Sequence, residues 1–165
     1  MSDQHTILLV DDSDNDLILM RRAFQKAKCQ NPLQAVRSGE QAIAYLKGEG
    51  PYSDRNKFPL PAVMLLDLNM PRGGGFDVLA WVRAQPVLRR LSIIILTASN
   101  RSEDVNRAFD LGATSFLVKP IELEALASML RRLCDWAEIN RFPALHEAGG
   151  TNQATIDDPG GKEFQ

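Results

Sequence analysis

Two apolar runs of this chain end in carboxylates. Thr6-Ile7-Leu8-Leu9-Val10 passes straight into Asp11-Asp12-Ser13, and Val63-Met64-Leu65-Leu66 into Asp67-Leu68-Asn69-Met70-Pro71. Two further runs, Leu91-Ser92-Ile93-Ile94-Ile95-Leu96 and Ser115-Phe116-Leu117-Val118, end in Thr97-Ala98-Ser99 and Lys119-Pro120. A short apolar run closed by a turn signal is how a strand buried on both faces reads. A parallel sheet gathers the carboxyl ends of its strands on one edge, and that edge is where open α/β sheets bind ligands. Asp11, Asp12, Asp67, Thr97 and Lys119 are therefore expected to converge. Three carboxylates so placed repel one another unless a cation compensates. Hard oxygen donors with positions left to water suit Mg²⁺. The ammonium of Lys119 and the hydroxyl of Thr97 complete a site for an oxygen-rich anion beside one nucleophilic carboxylate. A phosphoryl group fits, with Asp67 as acceptor. Taken alone, Asp67 reads as readily as a turn former or a helix cap. The agreement among strand ends carries the chemical reading.

The elements between these residues follow from periodicity. After the first strand, Leu17, Ile18, Met20, Arg21, Phe24 and Ala27 mark a helix with Ser13 or Asp14 as N-cap. Leu33-Gln34-Ala35-Val36 is a weaker second strand, and Ser38 with Gln41 fits a capping box before Ala42, Ile43, Tyr45 and Leu46. Residues 47–61 form a polar connection, longer than most in a compact domain. Gly73-Gly74-Gly75 breaks the chain before a helix carrying Phe76, Val78, Leu79, Trp81 and Val82, closed by Pro86. Asn100 or Ser102 caps a helix through Val105, Ala108, Phe109 and Leu111, stopped by Gly112. A last helix over residues 122–140 carries Leu123, Leu126, Met129, Leu130, Leu133 and Trp136 on one stripe. Five alternations of strand and helix predict an α/β fold, a parallel sheet with helices on both faces. One domain over residues 1–143 and a polar, flexible tail over 144–165 are expected.

With 165 residues, 44% of them hydrophobic, and a net charge of −2, the chain has the composition of a globular domain able to bury its own core. No excess of Lys and Arg marks a nucleic-acid face. No apolar run approaches the roughly 20 residues that span a bilayer, and the first strand begins too early for a signal peptide; a cytoplasmic protein is expected. Cys29 and Cys134 lie far apart without metal-type spacing, so free thiols are expected. Gly73-Gly74-Gly75 is no phosphate loop, since no GK[ST] follows. His5, His146, Arg89-Arg90 and Arg131-Arg132 read as surface residues. Trp136 reads equally as core or partner surface, and Phe142 leans towards a partner.

The pattern Asp11-Asp12, Asp67 with Asn69-Met70-Pro71 and Gly75, Thr97-Ala98, Gly112-Ala113 and Lys119-Pro120 resembles the receiver domain of two-component response regulators. The resemblance covers about residues 5–140. It implies a CheY-like (flavodoxin-like), doubly wound five-stranded sheet in the order 2-1-3-4-5. It further implies that Asp67 accepts a phosphoryl group from a histidine kinase, and that Asp12, Asp67 and the Asn69 carbonyl ligate Mg²⁺, with Asp11 acting through a metal-bound water. Thr97 and Lys119 would hold phosphoryl oxygens, with the Ala98 N–H beside them. Phe116 falls at the family's switch-aromatic position, where tyrosine is frequent. Asn69 and Ser99 occupy positions that tune dephosphorylation in the family.

The resemblance implies a phosphoacceptor signalling protein, not an enzyme. No DNA-binding or enzymatic output domain is expected after residue 140, so output should be a protein contact. The long 47–61 connection and the helix extended towards Arg141-Phe142-Pro143 resemble the regulators of phytochrome-type histidine kinases, which commonly form homodimers through the helix 4, strand 5, helix 5 face. Two other readings compete with it. One is a receiver-fold binding module that takes no phosphate, against which the acid pair, Asp67, Thr97 and Lys119 argue. The other is a small Mg²⁺-dependent phosphatase with an aspartyl intermediate, which would need a general acid two residues beyond its nucleophile, where Asn69 stands.

Overall fold

The computed structural model describes residues 4–71 and 74–145. His146 and nearly all of the expected tail lie outside the described residues. Five strands, β1 (Ile7–Val10), β2 (Leu33–Val36), β3 (Val63–Leu66), β4 (Ser92–Thr97) and β5 (Ser115–Val118), form one parallel sheet in the order β2-β1-β3-β4-β5. The doubly wound α/β sheet is the one expected. Alternate residues of the buried strands feed two cores, as the period of two demands. Leu8, Val10, Met64, Leu66, Ile93 and Ile95 face α2 (Gly39–Lys47), α3 (Gly74–Ala84) and α4 (Ser102–Asp110). Ile7, Leu9, Val63, Leu65, Ile94 and Leu96 face α1 (Asp14–Lys26) and α5 (Leu123–Ile139). Each such fully buried side chain contributes about 1.5–3 kcal/mol through the area it removes from water.

Chain direction reverses across the sheet between β1 and β3. From β1 the chain moves outward to β2, then returns past β1 to β3 and onward to β5. The loops leaving β1 and β3 therefore diverge, and a crevice opens at their carboxyl ends. Val10 pairs with Leu66 in register, so Asp11 and Asp67 emerge side by side. Thr97 pairs with Val118, which brings Lys119 to the same edge.

Local chemistry sets the element ends. Ser13 caps α1, its Oγ accepting from the Asp16 N–H at 3.2 Å. Ser38 caps α2 by accepting from the Gln41 N–H at 3.0 Å, while Gln41 Oε1 reaches back to the Arg37 N–H at 2.8 Å. For α4 neither expected cap holds: Arg101 precedes the helix without a side-chain cap, and Ser102 is its first residue. Ser99 does part of that work, accepting from the Arg101 N–H at 3.4 Å and donating to Asp104 Oδ2 at 2.6 Å. The glycine run does not end before α3 either. Gly74 and Gly75 form its first turn, for a reason that belongs to the site.

The long connection is anchored along its length. Its Gly50–Tyr52 segment is a 3₁₀ turn. Arg55 donates to the carbonyls of Tyr45 (2.7 Å), Leu46 (2.9 Å) and Phe58 (3.2 Å), which satisfies the carboxyl end of α2 with a cation. The Tyr45 hydroxyl donates to the Pro59 carbonyl at 2.8 Å, and the rings of Tyr45, Tyr52 and Phe58 stack edge-on or tilted.

Two expectations are corrected at the other end of the molecule. Cys29 and Cys134 are not free thiols but a disulfide, closed across 105 residues of sequence. Sequence spacing hid the pair, because α1 and α5 lie side by side on one face of the sheet and bring their ends together. Phe142 is half-buried and packs within the chain, its ring edge-on to Trp136 (centroids 5.7 Å apart) and to His5 (4.8 Å). His5 is thereby also drawn into packing.

Candidate functional site

The carboxyl-end crevice collects the residues that the strand ends pointed to. One carboxylate oxygen from each of Asp11, Asp12 and Asp67 lies within 4.8 Å of the others. Asp11 and Asp67 are buried, at 1% and 7% exposure, whereas Asp12 is exposed on the rim. Thr97 is wholly buried beneath them. Lys119 Nζ donates to Asp11 Oδ2 at 2.8 Å and lies 3.5 Å from Asp16 Oδ2. Asp16 was missed from sequence. It lies in the first turn of α1, where the helix opens directly beside the acid pair.

Both oxygens of Asp11 are engaged, since Oδ1 accepts the Ser13 N–H at 3.0 Å. Asp67 Oδ1 accepts the Asn69 N–H at 3.2 Å. The Asn69 side-chain amide turns back to donate to Thr97 Oγ1 at 3.1 Å, and the Thr97 hydroxyl lies near enough to Asp67 to favour its charged form. Asn69 thus acts through its N–H and its side chain together, a link that no spacing signalled. Phe116 sits elsewhere: it is half-buried on the core side of β5, against the α2–α3–α4 layer.

Electrostatics follow from this packing. Burial pushes the Asp67 carboxyl above its ordinary value, and Asp11 adds to the shift. Lys119, the Asn69 N–H and the Thr97 hydroxyl oppose it without cancelling it. For Lys119, burial disfavours the charge, yet the hydrogen bond to Asp11 and the charges of Asp11, Asp67 and Asp16 outweigh burial and raise its pKa. Asp11, Asp12 and Asp67 with Lys119 leave two negative charges in excess, a balance that suits a divalent cation.

Gly74 and Gly75 make the crevice floor possible. A Cβ on Gly75 would lie 2.3 Å from the Asp67 carbonyl oxygen, and one on Gly74 would lie 2.6 Å from that of Leu68. Gly74 also holds a left-handed φ of 60°. The first turn of α3 can therefore press directly on the backbone that carries Asp67. Beside Asp12 a groove of about 580 Å³, lined by Arg37, Ser38, Met70 and Asp77 among others, opens the rim to solvent.

Fold and crevice together are those of a receiver-type α/β domain with an acidic pocket at its switch point, and comparison with known proteins gives the family. The chain belongs to the response regulator receiver domain family, whose family model matches residues 7–131. It is 33% identical over 139 residues to response regulator Rcp1 of Synechocystis, covering 84% of this chain and 92% of Rcp1. A solved Mn²⁺-bound form of Rcp1 matches with a TM-score of 0.73, over 85% of this chain and 99% of that one. The phosphorylated cyanobacterial phytochrome response regulator RcpA is similar at 28% identity and a TM-score of 0.77, covering 86% and 99%. Response regulator RPA3017, described in red light signalling of R. palustris, is similar at 31% and 0.77, covering 87% and 99%. No helix among the described residues is long and apolar enough to cross a membrane.

Proposed function

We propose that this protein is a response regulator whose Asp67 accepts a phosphoryl group from the phosphohistidine of a sensor histidine kinase. The observation that carries the reading is the placement of one buried carboxylate, Asp67, at the switch point of the sheet between an acid pair and a lysine–threonine pair. An Asp67 oxygen attacks the phosphorus in line as the bond to the kinase imidazole nitrogen breaks. Asp12, Asp67 and the Asn69 carbonyl would hold Mg²⁺, with Asp11 contributing through water; the all-oxygen donor set and its excess negative charge fit that ion. When bound, the cation supplies positive charge to the transferring oxygens.

The chain's own residues do the rest. Lys119 transfers from Asp11 to a phosphoryl oxygen, and the Thr97 hydroxyl leaves Asn69 for another. Movement of the Thr97 loop gives the Phe116 ring room to turn inward, and the α4–β5–α5 face changes with it. That face is the proposed homodimer surface. Its support is apolar exposure: Phe109 on α4 is 51% exposed and Val118 on the edge strand β5 is 43% exposed. Likeness to RcpA and RPA3017 supports a phytochrome-type kinase as donor.

Incubation with acetyl phosphate and Mg²⁺ should add one acid-labile phosphoryl group, read by intact mass, and Asp67→Asn should abolish it. Labelling that persists in Asp67→Asn and maps to Asp11 or Asp12 would overturn the assignment.

A further inference from the structure

The two cysteines, Cys29 and Cys134, meet at the end of α1 remote from Asp11 and Asp12. Their Cα atoms are 6.0 Å apart, within the span that a disulfide bridges. Cys29 follows α1 in a tight turn: Lys28 takes a positive φ of 56°, and the Cys29 N–H donates to the Phe24 carbonyl at 3.3 Å. Cys29 is half-buried, whereas Cys134 is 7% exposed within the stripe that α5 lays on the sheet. The same two helices are joined by the Lys26–Glu124 ion pair and by Arg131, which donates to the Ala27 carbonyl at 3.2 Å. The crevice chemistry uses neither sulfur.

We propose that Cys29 and Cys134 form a reversible thiol–disulfide site, a second chemical input to this protein, whose oxidant is a low-molecular-weight disulfide of the glutathione class. Cys29, the more exposed partner, reacts first. Its thiolate attacks one sulfur of the small disulfide, forming a mixed disulfide and releasing one small thiolate. The Cys134 thiolate then attacks the Cys29 sulfur and releases the second. The two protein thiols have lost two protons and two electrons, and the small disulfide has become two thiols. The α1–α5 contacts already hold the sulfurs together, so ring closure is favoured over a lasting mixed adduct. The closed ring spans residues 29–134 and contains Asp67, Thr97 and Lys119. It also fastens α5 to α1, which follows directly on Asp11 and Asp12. Oxidation therefore stiffens the frame of the phosphoryl site without touching its chemistry.

The test equilibrates the full chain in buffers running from wholly reduced to wholly oxidised glutathione. Samples are quenched in acid, alkylated with N-ethylmaleimide and read by intact mass. The expected result is one transition, approached alike from either side, between a chain carrying two maleimide adducts and an unalkylated chain two hydrogens lighter than the free dithiol polypeptide. The oxidised protein should melt roughly 10 °C above the reduced one, because closing a ring of this length restricts the unfolded chain. Amide exchange in residues 126–134 should slow on oxidation. Cys134→Ser should stop at a glutathione adduct on Cys29, and Cys29→Ser should form little adduct. A chain doubly alkylated even in the most oxidising buffer would overturn the proposal. So would a bridge that survives the most reducing native buffer, or a stable Cys29 adduct as the oxidised end point of the parent.

Discussion

Lys119 Nζ lies 2.8 Å from Asp11 Oδ2, with the two side chains only 10% and 1% exposed. The cation of the site is thus held by a carboxylate other than the proposed acceptor. Asp67 is left with an uphill pKa, and a phosphoryl group arriving there must compete with Asp11 for Lys119. Removing one partner of a buried pair leaves the other charge stranded, at a cost of about 3–5 kcal/mol. Lys119→Met should lower stability by roughly that amount in urea unfolding, and adding Asp11→Asn should recover much of the loss. An unchanged midpoint in Lys119→Met would show that the pair is not coupled to folding.

Asp67 should make the metal-free protein pH-sensitive in the opposite sense from a salt-bridged carboxylate. Its folded pKa is raised, chiefly by burial, so folding favours the protonated form. That contribution is complete below the unfolded pKa and is lost as pH rises through the folded value. Thermal melts without metal should show the parent losing stability relative to Asp67→Asn as pH climbs out of the ordinary carboxylate range, about 4. Added Mg²⁺ should restore the parent far more than the variant. Parallel pH curves for the two proteins would contradict the assignment.

Gly75→Ala places a Cβ where only 2.3 Å separates it from the Asp67 carbonyl oxygen, a backbone atom that cannot swing away. Relief requires α3 or the end of β3 to shift. Overpacking of this kind costs typically 1–3 kcal/mol. Acetyl phosphate labelling should slow as well, since the displaced backbone carries the acceptor. Gly50→Ala, where an added Cβ meets nothing within 4 Å, serves as the uncrowded control, though its own positive φ of 57° makes it mildly destabilising.

Thr97→Ala removes the hydroxyl that accepts from Asn69 and leaves Asp67 in place. The variant should still be phosphorylated at Asp67. Its self-association on adding beryllofluoride, followed by sedimentation velocity, should change much less than the parent's. A ligand shifts a two-state equilibrium only through contacts that differ between the states, and Thr97 supplies one of them. An identical response would exclude Thr97 from the coupling.

Tyr45 predicts an alkaline signature. Burial, opposed by Arg55 and reinforced by Tyr52, raises its pKa to about 12 from 10.0. The stability it contributes is complete below pH 10.0 and lost as pH rises towards about 12. Phenolate absorbance lost in Tyr45→Phe should therefore develop late, near pH 12. The same variant forfeits the hydrogen bond to Pro59 and should be about 1 kcal/mol less stable at neutral pH. Early ionisation of Tyr45 would mean that the 47–61 connection does not shield it.

Much of the site was legible because a parallel sheet turns order along the chain into position in space. Once residues 6–10, 63–66, 91–96 and 115–118 read as strands, their terminal residues had to share an edge. Helix starts with strong side-chain caps, Ser13 and Ser38, were legible for the same reason: the signal lies within four residues of its effect. Asn100 and Ser102 failed as caps because Ser99 satisfies the α4 entrance from further back, a competition that local spacing does not rank.

What periodicity leaves open is which distant side chains meet. The amide of Asn69 on Thr97 joins residues 28 apart, and Lys119 on Asp11 joins residues 108 apart. Strand order brought those residues to one edge, but only the packed structure decided that the lysine rests on Asp11 rather than Asp67. Phe142 turned inward onto Trp136 and His5, and Arg55 pinned a connection that read only as long and polar, because both depend on surfaces built by other segments. The cysteines are the sharpest case. Their separation argued for free thiols, and the lateral packing of α1 against α5 joined them, since a helix pattern marks the face to be buried but not the neighbour that buries it.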